Sequence, residues 1–168
     1  MASEEIIITP AGRKELEDEL YRREHETKAA IGEQLREARG FGDLSENAEY
    51  DAAREAQAVN ESRIREIKHI LATARVVDPL AAGAESRVAK VGTIVELEDN
   101  KGKRISFSLV GTTETNSLAH RISNESPAGA AIIGHAEGDQ IAFATPSGVV
   151  REYRIVSIKL PQVGASAE

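Results

Sequence analysis

Two hydrophobic periods divide the chain. From Thr9 to Arg39 the apolar residues Leu16, Leu20, Ile31, Leu35 and Ala38 recur at separations of three, four or their sums, the seam of a helix packed on a helix. Thr9-Pro10 supplies the start, a capping hydroxyl followed by a ring whose fixed φ suits the first helical position, and Gly40 and Gly42 supply the stop. A second seam, Ala53, Gln57, Asn60, Ile64, Ile67, Leu71 and Ala74, fits alternating heptad positions and predicts a helix that ends near Val77, before Asp78-Pro79. So short a connection makes the two helices antiparallel. Roughly 30 residues at about 1.5 Å each give a hairpin on the order of 45 Å long. Its second seam is polar toward the turn, at Gln57 and Asn60, and apolar from Ile64 to Leu71, so the turn end is expected to be the looser one.

After a linker of small, polar and helix-breaking residues at 78–87, the period falls to two. Thr93–Glu98 and Arg104–Leu109 alternate on either side of the turn Asp99-Asn100-Lys101-Gly102 and predict a β-hairpin. Ser126-Pro127 opens a short helix through Ile133, with Gly134 as its stop. Gln140–Thr145 and Val149–Ile158 form a second hairpin about Pro146-Ser147-Gly148. The predicted class is α+β in two domains: a helical coiled-coil hairpin over 1–77 with its tip at 40–47, and a compact domain over 88–161. Residues 162–168 read as a tail.

Composition narrows the setting. The 168 residues, 40% hydrophobic, suffice for one ordinary core or two small ones. The absence of cysteine removes disulfides and thiolate metal sites. The first residues are acidic, and the longest near-apolar run, Ala128–Gly134, is too short to cross a bilayer, so a soluble, cytoplasmic protein with no membrane association is expected. A formal charge of -7 argues against general duplex-DNA binding, which depends on clustered Lys and Arg. His25, His69, His120 and His135 are scattered without metal-ligand spacing.

Chemistry concentrates at the tip. Asp43, Glu46 and Glu49 gather at the turn and the first turn of the second helix. Carboxylate oxygens suit a hard cation such as Mg²⁺, yet Asp43 with Glu46 three residues on also has the form of a capping box, and acids favour helix N-termini. Spacing leaves both uses open. Two carboxylates are too few for a self-sufficient Mg²⁺ site, which fits a shared metal better than a stand-alone nuclease.

The full string narrows this. Gly42–Tyr50, GDLSENAEY, followed by Ala52-Ala53-Arg54-Glu55, closely resembles the tip signature of the bacterial Gre-family transcript cleavage factors and is GreA-like. Further matches are Ile8-Thr9-Pro10 with Gly12, Glu19-Leu20, Ser126-Pro127 with Gly134, Gly138-Asp139 and Thr145-Pro146, and the interval from Leu20 to Gly42 is also that of the family. The resemblance implies a transcription elongation factor, working as a monomer, that docks on RNA polymerase at the rim of its secondary channel through an FKBP-like C-terminal domain. The hairpin then reaches the 3′ end of backtracked nascent RNA. Asp43 and Glu46 occupy the positions of the family's two tip acids, which help hold an Mg²⁺ of the polymerase active centre and so stimulate RNA cleavage. The protein is then a catalytic accessory and not an enzyme, with no cofactor bound on its own.

The same resemblance assigns lesser roles. Arg39 and Arg54 match basic positions flanking the tip and face either RNA backbone and polymerase carboxylates or solvent. Ser45 is a loop residue, Asn47 a turn residue or a contact, and Tyr50 either stacks on a base or packs across the hairpin end. Ser126-Pro127 lies in the polymerase-docking segment and is equally the N-cap and first residue of a helix. Phe107, Phe143 and Tyr153 are too few for a prolyl isomerase pocket and are expected in the core. Departures from the family pattern are Gly40-Phe41 before the Gly-Asp pair, a less basic segment at Gly134-His135-Ala136-Glu137, and the lack of an Arg-Pro pair in the first helix. Two other functions share these features: a secondary-channel inhibitor of polymerase, and a coiled-coil scaffold whose acids serve only as caps.

Overall fold

The computed structural model of the chain describes residues 5–40, 47–78 and 88–161 and divides into two compact units. One is Arg13–Ala74; the other joins Met1–Gly12 to Arg75–Glu168. The expected linker beyond Asp78 and the expected tail lie outside the described residues.

The first helical stretch runs from Pro10 to Arg39 as expected, but in three pieces. Helix α1 (Pro10–Arg22) passes into a π-helical turn at Arg23–Thr27 and then into α2 (Lys28–Arg39). In that turn the Lys28 N–H reaches back five residues to the Arg23 carbonyl. The partner helix α3 (Ala48–Thr73) runs antiparallel, since Asn47 bonds to Ala38, Asn60 to Arg23 and Arg63 to Glu19, with sequence separation growing away from the turn.

Periodicity located most of the seam. Leu16, Ile31, Ala38, Ala53, Asn60 and Ile67 are buried, while Leu20, Leu35, Gln57, Ile64, Leu71 and Ala74 are half-buried, and Ile70, off the predicted seam, is buried as well. The one polar side chain fully inside is Asn60, 4% exposed among the described residues of this unit. It is matched on both sides by one residue: its Nδ2 donates to the Arg23 carbonyl at 3.1 Å, and its Oδ1 accepts from Arg23 Nη1 at 3.2 Å. A buried carboxamide with both ends bonded costs little, whereas an unpaired one costs about 1–3 kcal/mol, so Asn60 specifies which turn of helix it faces.

A carboxylate lies beside this lock. Glu19 Oε1 accepts from Arg23 Nε at 2.7 Å, and both its oxygens accept from Arg63, at 3.0 and 2.9 Å. Hydrogen bonding from Arg63 foremost, with further help from Arg23 against the opposing effect of burial, lowers the Glu19 pKa from 4.5 to about 2.

Helix α3 stops before the position expected for it. Ala74 turns to extended backbone, and Arg75–Val76 form strand β2, parallel to β1 (Ile7–Ile8), with Arg75 N–H donating to Ile6 O and Val77 N–H to Ile8 O. The β-branched runs Ile6-Ile7-Ile8 and Val76-Val77 favour a ladder over another helical turn, and for this reason the first twelve residues group with the C-terminal unit.

In that unit β3 (Ile94–Asp99), β4 (Arg104–Val110), β5 (Arg121–Ser123), β6 (Gln140–Ala144) and β7 (Val150–Lys159) form one sheet of order β5-β4-β3-β7-β6. Both predicted hairpins are present. Strand β5, parallel to β4, was not anticipated: three residues show no period, and its partner is reached through a loop. Helix α4 (Pro127–Ile132) packs against β5 and β6. Val95, Leu97, Leu109, Ile132, Ile141 and Ile155 form the buried core, with Phe107, Phe143 and Tyr153 packed against it, as expected of the three aromatics.

This unit also holds a buried carboxylate that sequence reading passed over. Glu114, 6% exposed, accepts from the Thr9 N–H at 3.0 Å, from the Thr9 hydroxyl and from the Gly111 N–H at 3.2 Å. The Thr9 hydroxyl in turn accepts from Gly12 N–H at 3.1 Å, the N-cap bond of α1. A Cβ on Gly12 would stand 2.0 Å from Glu114 Oε1.

Two glycines in the first helical stretch should therefore respond oppositely to alanine. Gly12→Ala collides with Glu114 and is expected to destabilise by about 1–3 kcal/mol. Gly32→Ala, in α2 with nothing within 4 Å of the added Cβ, should stabilise by about 0.5–1 kcal/mol. Urea denaturation of the two variants measures both. The lowered Glu19 pKa means that its ion pairs stabilise the hairpin fully above pH 4.5 and are lost as pH falls toward about 2. Thermal melts followed by circular dichroism should show that acid-linked loss reduced in Glu19→Gln, which cannot titrate.

Candidate functional site

The described residues at the hairpin end are joined across the gap between helices. Asn47 is the N-cap of α3: its backbone is extended, and its Oδ1 accepts from Tyr50 N–H at 3.1 Å. The same carboxamide turns its Nδ2 outward to the last turn of α2 and donates to the Ala38 carbonyl at 2.8 Å. One side chain thus satisfies an orphan donor of one helix and an end carbonyl of the other. Ala38 and Ala53, both buried, are small enough to let the helices approach here. This bond joins the start of α3 to the last turn of α2.

A second tie lies on the same junction. The Arg39 guanidinium carbon sits 5.9 Å from the centroid of the Tyr50 ring, within cation–π range, so these two residues face each other across the hairpin end. Arg54 donates to Gln57 Oε1 at 3.0 Å one turn further along α3. Glu49 and Asp51 occupy the first turn of α3, where the helix dipole favours them.

Asp43, Ser45 and Glu46, together with Gly42 and Phe41, lie outside the described residues. Their flanks are placed: Gly40, whose N–H bonds back to Glu37 O at 3.0 Å, on one side and Asn47 on the other. Among the described residues no three His, Cys, Asp or Glu side chains come together as a metal site.

Ser126 and Pro127 belong to the C-terminal unit. Ser126 Oγ accepts from Gly129 N–H at 3.0 Å and donates to Ser123 O at 2.7 Å, so its hydroxyl is spent on capping α4, and Pro127 takes the first helical position. Gly129 is obligatory beneath it, because a Cβ there would stand 1.9 Å from Ser123 O.

Known proteins give this arrangement a family. Residues 6–76 match the family model described as transcription elongation factor, N-terminal, and residues 84–160 match the one described as transcription elongation factor, GreA/GreB, C-term. Transcription elongation factor GreA of Ralstonia nicotianae is 41% identical over 155 residues, covering 92% of this chain and 97% of that protein. The protein of the same name from Clostridium acetobutylicum is 41% identical over 154 residues, covering 91% and 96% respectively. The crystal structure of GreA factor homolog 1 of Thermus thermophilus is 32% identical, covers 92% of this chain and 98% of that one, and superposes with a TM-score of 0.41. The chain combines a helical hairpin with an α+β unit, and the two family models match one part each. The chain belongs to the GreA/GreB family of transcription elongation factors.

The double cap at Asn47 is separable by substitution. Asn47→Asp keeps an N-cap acceptor but loses the donor to Ala38, whereas Asn47→Ala loses both. Chemical denaturation should show Asn47→Ala less stable than the parent by about 1–2 kcal/mol, with Asn47→Asp in between.

Proposed function

We propose that this protein binds RNA polymerase, brings its hairpin tip into the secondary channel and stimulates the polymerase's own Mg²⁺-dependent cleavage of backtracked RNA, which rescues arrested complexes. It acts in the cytoplasm as a monomer and as a catalytic accessory. None of the helices among the described residues is long and apolar enough to cross a membrane.

The observation that carries this reading is the junction at Asn47. A turn containing two acids is useful as a metal ligand only if its two ends are held, and the Asn47 carboxamide bonds both helices immediately beside it. Asp43 and Glu46 are the ligands this protein contributes to a metal whose remaining ligands come from the polymerase. There the metal would lower the pKa of the attacking water and stabilise the charge developing on phosphate. Arg39 and Tyr50 hold one another across the junction and flank the RNA path, with Arg54, Ser45 and Asn47 as further contacts.

The test is a stalled, backtracked elongation complex with Mg²⁺. The parent protein should release a short 3′ RNA fragment. Asp43→Ala and Glu46→Ala should bind the complex equally well and slow cleavage on the order of 100-fold or more, since loss of even a group that only supports a metal ligand costs about 10–100-fold. Cleavage by the double variant at the parent rate would exclude the metal role. Inhibition of synthesis by the parent without cleavage would establish the channel-blocking function in its place.

A further inference from the structure

Arginines of the helical hairpin are held in two different ways. Arg13, Arg23, Arg36 and Arg63 each bond a carboxylate, so their charge is compensated within the hairpin. Arg39, the last residue of α2, and Arg54, in the second turn of α3, bond no carboxylate among the described residues and rest on neutral groups instead. The Arg39 guanidinium lies over the Tyr50 ring, 5.9 Å from its centroid, and Arg54 Nη1 donates to Gln57 Oε1 at 3.0 Å. Glu49 and Asp51 stand on either side of Tyr50 in sequence, yet neither bonds Arg39, since successive residues of a helix point to different faces.

These two cations share a face. Tyr50 and Arg54 are four residues apart on α3 and so are neighbours on one side of the helix, the side over which Arg39 is laid. Asn47 fixes the backbone beneath them: its Oδ1 accepts from Tyr50 N–H, and its Nδ2 donates to the carbonyl of Ala38, the residue before Arg39. A ring and a carboxamide orient a cation without neutralising it. Guanidiniums held in this way keep their charge and most of their N–H groups for an anion, and they lose little side-chain freedom in meeting one. By the same contact, the face of Tyr50 that Arg39 covers is closed to a nucleobase.

We propose that Tyr50 and Gln57 are positioning residues, which orient Arg39 and Arg54 toward phosphate groups of the backtracked RNA, so that this end of the hairpin grips the strand by its backbone and leaves its bases unread. The proposal rests on the polymerase reading given above. It makes Tyr50 act through Arg39 in place of stacking on a base.

The experiment measures the rate of cleavage at saturating factor in backtracked complexes whose extruded 3′ nucleotide is either adenosine or uridine. It compares the full-length parent with Tyr50→Leu, Tyr50→Phe, Arg39→Ala, the double variant Tyr50→Leu/Arg39→Ala, and Gln57→Glu, each checked by circular dichroism to be folded at the assay temperature. Tyr50→Leu should slow cleavage about two- to fivefold, the worth of an exposed cation–π contact, and equally for the two RNAs. Tyr50→Phe keeps the ring face and should recover the rate, and Tyr50→Leu should add nothing to Arg39→Ala. Gln57→Glu keeps an acceptor for Arg54 but compensates its charge, and should slow cleavage several-fold. A loss from Tyr50→Leu that persists in full beside Arg39→Ala, or that differs more than about twofold between the two RNAs, would overturn the role given to Tyr50 and establish stacking on a base. Cleavage by Gln57→Glu at the parent rate would overturn the role given to Gln57. Either result, with a parent that cleaves, leaves the proposed function standing; a parent that stimulates no cleavage would refute that function and this proposal together.

Discussion

The helical unit depends on one buried polar contact. Asn60 meets both the carbonyl and the guanidinium of Arg23, and a slip of α3 by one turn would take both ends of the buried Asn60 carboxamide away from these partners. Apolar seams alone tolerate such slips, because one leucine resembles the next; a carboxamide with a single matching partner does not. Glu19, bonded to Arg23 and twice to Arg63, extends the same constraint by one turn on each helix. The π turn belongs to this arrangement, since it presents the Arg23 carbonyl to Asn60 while that carbonyl still accepts from Lys28. With the register set there, Ala38 and Asn47 meet at the other end, and the two flanks of the acidic turn are held at a fixed separation.

The C-terminal unit has its own buried polar centre. Glu114 collects Thr9, Gly111 and, through the Thr9 hydroxyl, Gly12, so the residue that caps α1 is bonded to a loop of the sheet unit. The glycines answer to the same contact: a side chain at Gly12 would strike Glu114, and one at Gly111 would stand 1.9 Å from the Ile7 carbonyl. In both units a polar group inside an otherwise apolar packing selects one arrangement among several of similar area.

Much of this was legible in the sequence. Periodicity located the hairpin, both strand pairs and the short helix after Ser126-Pro127, because each carries its own repeating pattern or start signal. The π turn, β1 and β2 were missed because Asn60 and Ile6–Ile8 act on partners far along the chain, and β5 because three residues show no period. Glu114 gave one unused signal, a lone carboxylate in an uncharged run. At the hairpin end the string Gly42–Tyr50 pointed to the family, and the family comparison agreed. What sequence left undecided was the work of Asn47 and Tyr50, where a turn role and a contact role remained open; the geometry gives Asn47 the double cap and Tyr50 the face of Arg39.

If a register-locked hairpin exists to place two carboxylates on a shared metal, its length matters more than its surface. Seven residues removed from α2 and seven from α3, both on the tip side of Asn60, would keep the heptad phase and the lock while retracting the tip by about 10 Å. Metal ligation tolerates a displacement of a few tenths of an ångström. Cleavage of backtracked RNA by this shortened protein, with Asp43 and Glu46 intact and polymerase binding retained, is the most direct measurement. The account predicts no stimulation above polymerase alone, and stimulation at the parent rate would contradict it.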